Sequence, residues 1–232
     1  AQLARYIENV SVRDILIRET DGVRPPRGSK FLLTRQDGGL RSVLQLAYFR
    51  GGNLTRIGGR GYTQPGKGGR VDVQLEHMNP ADLAGISSLF SPLKALSLPV
   101  DAELGFELAA DGTLARGEVN IRLEDGVVLL SERRFGVRRV ELEMETDLAK
   151  QSIVLKKGQI NVDGVGARFA GTADFSLTPE GDINVVTARV DGKKIDINVP
   201  SFLQAPIRNA RADLGLTYLG ASNRLGIDTG QL

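Results

Sequence analysis

The sequence predicts an all-β protein with one or two short helices: an elongated antiparallel meander curled into a groove or open half-barrel with an apolar inner face. Three observations predict it. Apolar and polar residues alternate with period two, as in Ala102, Leu104, Phe106 and Leu108 set between Glu103, Gly105 and Glu107. Turn dipeptides punctuate the runs, at Asp111-Gly112, Asp125-Gly126, Lys157-Gly158, Asp163-Gly164 and Asp191-Gly192. Helical spacing of apolar residues occurs in one place only, after Asn79.

Taken in chain order, Val10, Val12, Ile15 and Ile17 predict a strand with a slip, and residues 21–30 (DGVRPPRGSK) a basic loop. Residues 31–49 read as a hairpin around Asp37-Gly38-Gly39. Residues 51–70 carry 8 glycines and 4 basic residues and read as a solvated loop. Val71, Val73 and Leu75 form a strand that leads into a helix start, with Asn79 as cap, Pro80 at the first helical position and Asp82 in the first turn. Leu83, Ile86, Leu89, Phe90 and Leu93 then predict a helix near residues 80–91, limited by Pro92 and Pro99.

Beyond it the strands are short and evenly spaced. They run through Val119, Ile121 and Leu123; Val140, Leu142 and Met144; Ile153 and Leu155; Ile160 and Val162; Phe169, Ala173 and Phe175; Ile183, Val185, Ala188 and Val190; Ile195 and Ile197; and Leu214, Leu216 and Tyr218. The organisation divides into N-terminal hairpins with a Gly/Arg-rich loop over residues 1–70 and a repeating β segment over 71–232. A weak internal repeat supports the second: strand, Pro-initiated segment and strand at Val71 to Leu104 recur at Ile195 to Leu214.

Composition narrows the chemistry. The 232 residues hold 30 Lys plus Arg against 28 Asp plus Glu, a net charge of +2 that gives no footprint for a nucleic acid. There is no Cys and one His, so neither a disulfide nor a transition-metal centre is expected. Gly61-Tyr62-Thr63-Gln64-Pro65-Gly66-Lys67-Gly68 approaches a phosphate-loop pattern, but the final hydroxyl residue is Gly and a strand pattern follows where a helix is needed. Glu103, Glu107, Glu118, Glu141, Glu143 and Glu145 alternate with apolar residues, which places them on a solvated face without the burial that tunes a general acid. No catalytic residue, cofactor or enzymatic activity is expected. What remains is the apolar face, which must be covered by a second layer or by a ligand.

The stretch from Val71 to about Gly220 resembles the AsmA-like family of bacterial envelope proteins, and most of all its large YhdP-type members. The resemblance rests on Val71-Asp72-Val73-Gln74-Leu75-Glu76 running into Met78-Asn79-Pro80-Ala81-Asp82-Leu83-Ala84. It extends through Leu96-Ser97-Leu98-Pro99-Val100 and Leu104-Gly105-Phe106-Glu107-Leu108 to Phe135-Gly136-Val137 and Ala167-Arg168-Phe169-Ala170-Gly171. It implies an interior periplasmic segment of a longer protein, anchored in the inner membrane by parts outside this chain. It also implies an apolar β-groove carrying phospholipid acyl chains toward the outer membrane, with other envelope proteins as further partners. The residues expected to line that groove are Leu104, Phe106, Leu108, Val119, Ile121, Leu123, Val140, Leu142, Met144, Phe169, Phe175, Ile195, Ile197, Leu214 and Leu216. The alternative is a non-catalytic scaffold or assembly factor that binds strands of outer-membrane proteins.

Overall fold

A computed structural model describes residues 9–13, 29–50, 53–80, 98–130, 133–178, 183–200, 203–222 and 224–231. Thirteen strands run through these residues: β1 (Asn9–Arg13), β2 (Lys30–Gln36), β3 (Gly39–Arg50), β4 (Asn53–Gln64), β5 (Gly68–Met78), β6 (Val100–Leu108), β7 (Leu114–Leu130), β8 (Arg133–Asp147), β9 (Ser152–Val162), β10 (Val165–Leu177), β11 (Ile183–Ile197), β12 (Ile207–Leu219) and β13 (Arg224–Gln231). They form one antiparallel sheet whose strand order is the chain order, and the sheet does not close on itself. The meander expected from the alternation is the fold this chain adopts.

The turns follow local chemistry where both central residues accept left-handed backbone. Asp37 (φ 51°) and Gly38 (φ 76°) join β2 to β3, and Asp163 (φ 40°) and Gly164 (φ 79°) join β9 to β10. A tight turn of this hand matches the twist of the flanking strands. At the β6–β7 turn, Asp111 Oδ1 accepts hydrogen bonds from the Thr113 backbone N–H (2.9 Å) and hydroxyl (2.7 Å).

Three expected turns are strand interior instead. Asp125-Gly126, Lys157-Gly158 and Asp191-Gly192 lie within β7, β9 and β11, which are 17, 11 and 15 residues long. The glycines there serve packing. A Cβ on Gly126 would stand 2.3 Å from the Leu98 Cβ, and one on Gly158 would stand 2.3 Å from the Phe169 ring. The glycine-rich stretch expected as a loop is likewise mostly β4 and the start of β5, with a turn at Pro65-Gly66-Lys67 closed by Lys67 N–H donating to the Gln64 carbonyl at 3.0 Å. The helix expected near 80–91 lies outside the described residues except for Pro80, which is helical and fully buried.

The described strands fall into two compact units. The first holds β1 to β6 and β7 through Glu118; the second holds the rest of β7 from Val119, then β8 to β13, with Pro80, Leu98 and Pro99. In the first unit the buried apolar side chains are Tyr48, Leu75, Met78 and Ala102. Tyr48 and Leu75 approach the ends of β3 and β5, Met78 terminates β5, and Ala102 is near the start of β6, so antiparallel pairing gathers all four at one end of the sheet. Thr55, 2% exposed, is satisfied there by donating its hydroxyl to the His77 carbonyl at 3.0 Å. In the second unit Leu98 (2% exposed), Leu123 and Val137 are buried, and Leu98 sits against Gly126. A Gly126→Ala chain is expected to melt about 2–8 °C lower in a circular dichroism scan. The added methyl meets a Cβ that no rotamer change can move, and overpacking of this kind costs about 1–2 kcal/mol.

Candidate functional site

Strand register assembles the apolar residues of the second unit on one face. Val140, Leu142 and Met144 of β8 stand opposite Ile160, Gly158 and Leu155 of β9. Those oppose Ala167, Phe169 and Gly171 of β10, and Phe169 in turn opposes Gly192 of β11. Val190, Ala188 and Val186 continue the face to Leu214, Leu216 and Tyr218 of β12. Directly opposed residues project from the same side of a sheet, so this is a single apolar surface five strands wide.

The surface is continuous because bulges correct its phase. A one-residue slip would turn every later side chain to the opposite face. The register shifts between Glu143 and Met144, where Lys156 is the extra residue, and Leu155 and Ile153 thereby return to the side of Met144 and Thr146. The shift between Phe169 and Gly171 is this same β9 bulge met from β10, and an extra residue between Gly192 and Ile195 does the same for β11. Lys194, at φ 51°, is in the left-handed backbone of the last of these.

The expected lining residues distribute as follows. Val140, Leu142, Met144, Phe169, Phe175, Ile195, Ile197, Leu214 and Leu216 share the face just described. Val119, Ile121 and Leu123 are the inward-alternating residues of β7. Arg122, between them, reaches the Glu141 carboxylate at 3.6 Å on the charged side, which puts its neighbours Ile121 and Leu123 on the Leu142 side. In the first unit Leu104, Phe106 and Leu108 of β6 oppose Val73, Val71 and Gly69 of β5. Sequence reasoning left Ile153, Leu155, Ile160 and Val162 of β9 out of the lining set, although their alternation was visible. The turn expected at Lys157-Gly158 divides that strand into two pieces.

Burial is the decisive property of this face. Of the expected lining residues only Leu123 is buried; the others are half-buried. A face packed beneath a second layer approaches full burial, as in sandwich cores. Among the described residues, every strand belongs to this one sheet. Phe169 lies flat on this surface, its ring resting over the bare backbone of Gly158. Gly171 and Gly192 stand on the same face of β10 and β11.

The opposite face is charged and laced across strands. Arg70 of β5 reaches over Gly105 of β6 to Glu118 of β7 at 3.0 Å, and also pairs with Asp72 (2.8 Å) and Glu107 (3.7 Å). In the second unit the polarity is reversed. Glu141, its side chain 12% exposed, accepts from Arg139 and from Lys157 (3.0 Å) and faces Arg122. The Arg139 hydrogen bond first, then that of Lys157, hold its carboxyl down at about 2 from an ordinary 4.5. His77, the one histidine, sits at a bulge of β5 with φ 51°, and its backbone N–H donates to Asp101 at 2.7 Å. That accounts for it as a structural residue.

Fold and face together define an open antiparallel β-sheet protein with one apolar surface left half-exposed and one charged surface. No family model, curated protein or solved structure matches the chain.

Proposed function

We propose that this chain is a segment of a periplasmic lipid-transfer protein of the AsmA-like kind, in which the apolar face carries phospholipid acyl chains between the inner and outer membranes. The observation that carries the reading is the register-aligned apolar surface of β8 to β12, continuous through its bulges and half-buried along its length. The sequence resemblance of residues 71–220 points the same way. Each methylene laid on such a surface contributes about 0.8 kcal/mol. Neighbouring positions offer nearly equal burial, so a chain slides without meeting a deep trap. Five strands at about 4.8 Å give roughly 20 Å across the sheet, enough for the roughly 15 Å of acyl chain in one bilayer leaflet. The polar headgroup stays in water, and no catalytic group is required.

The test is native mass spectrometry and solvent extraction of the chain purified without detergent. Phospholipid is expected to accompany it, and a photo-crosslinking residue at Ile160 is expected to label acyl chains while one at Glu143 does not. Lipid-free protein, or labelling from both faces alike, would sink the reading. A second reading draws on the unclosed sheet, whose terminal strand β13 exposes Ile227 at 70%. A chain without lipid that captures unfolded β-barrel segments at this edge would act as an assembly scaffold.

A further inference from the structure

The charged face of the second unit contains a cleft of about 470 Å³ whose lining includes Lys156, Lys157, Gln159, Arg168, Asp191 and Lys193. It lies where the bulges of β9 and β11 flank β10. The extra residue Lys156 precedes Lys157 in β9, and the irregularity after Gly192 carries Lys193 in β11. Arg168 of β10 stands between these strands, directly opposite Gln159 on one side and Lys193 on the other.

The charges do not cancel. Lys156 pairs with Glu145, Lys157 with Glu141 at 3.0 Å, and Lys193 with Asp191 at 2.9 Å. The Arg168 side chain has no ion pair or hydrogen bond among the described residues. Like charges directly opposed across a sheet are destabilising. An exposed arginine facing a lysine, with its own donors unused, is therefore a cost that an anion would relieve. The guanidinium fork matches phosphate oxygens two at a time, and lysines on both flanking strands supply further donors.

We propose that this cleft binds a phosphate group, with Arg168 as its principal donor and Lys157 and Lys193 as flanking cations. The ligand class is a phosphate ester or inorganic phosphate, taken either from a lipid headgroup or from solution. The charged side chains of the site alternate with Leu142 and the Phe169 ring and so project from the opposite face, while Gly158, Phe169 and Ala170 complete the lining of the cleft.

The experiment measures binding of two probes to the intact chain. One is inorganic phosphate by calorimetry against chloride at equal ionic strength. The other is phosphatidylcholine vesicles with and without phosphatidylglycerol, by co-sedimentation. Arg168→Gln is expected to weaken binding about tenfold, and Arg168→Lys, which keeps the charge but loses the fork, to fall between. Lys150→Gln removes an equal charge from an exposed turn outside the cleft and is expected to leave binding unchanged. This pattern with inorganic phosphate supports the site with free phosphate as ligand. The same pattern with phosphatidylglycerol vesicles alone supports it with the headgroup as ligand. Binding of neither probe, or equal loss in Arg168→Gln and Lys150→Gln, overturns it. Lipid extracted from the Arg168→Gln chain tests the apolar face separately, so failure of one proposal is not failure of the other.

Discussion

A Leu142→Asp chain is expected to fold like its parent and to lose about nine-tenths of its bound phospholipid. Leu142 is half-buried and opposes Gly158, with the Phe169 ring lying beside it. A carboxylate there keeps part of its hydration, so the sheet tolerates it at a cost near that of an ordinary surface change. An acyl chain does not tolerate it. Charged side chains cost about 2.5–3.5 kcal/mol at the centre of a hydrocarbon layer, and even half of that is about a tenfold loss of affinity. Ile121→Asp is expected to behave alike. The comparison that gives the result its meaning is circular dichroism beside lipid extraction. If Leu142→Asp unfolds the chain, the face is a closed core and the groove reading fails.

Much of this face was legible in the alternation, because period two follows from the strand itself and needs no tertiary information. The spacing of Ala102 to Leu108, and of Val140 to Met144, is enough to assign each run to one side of its strand. Four features were not legible, each for a physical reason. Asp-Gly and Lys-Gly pairs mark reversal only where both residues take left-handed backbone; at Asp37-Gly38 they do, and at Lys157-Gly158 they do not. Gly158 is there because the ring of Phe169 needs its space, and that requirement arises from a neighbouring strand. The bulges that bring Leu155 and Ile153 onto the face of Met144 depend on the pairing of β8 with β9, which no single run of residues encodes. Arg168 enters the sequence reading only as part of Ala167-Arg168-Phe169-Ala170-Gly171. Its lack of a carboxylate emerges once Gln159 and Lys193 are known to stand opposite it. Half-burial, the property that separates an open face from a sandwich core, also depends on what the fold places above the residues, so alternation alone left both readings standing.

Replacing Glu141 by glutamine is expected to lower the melting temperature by about 2–8 °C at neutral pH and to change it little near pH 2. Glu141 joins three strands, since Arg122 is on β7, Arg139 beside it on β8 and Lys157 on β9. Its folded-state carboxyl is depressed to about 2 from 4.5. A depressed acid stabilises the fold above its unfolded value, and that contribution drains away as pH falls through the interval down to the folded value. The pairing is therefore fully present above about pH 5 and lost toward pH 2. Its partners Arg122, Arg139 and Lys157 are more than half exposed, which screens the interaction and limits it to about 1–2 kcal/mol rather than the larger figure the full shift would give. Thermal scans of both chains between pH 2 and pH 7 should converge on the acid side and separate through the interval where Glu141 ionises. Parallel curves across that range would show that the carboxylate contributes by packing alone. The same substitution frees Lys157, which lines the cleft beside Arg168. Glu141→Gln should therefore tighten inorganic phosphate binding while loosening the sheet, a pair of opposite effects that general destabilisation would not produce.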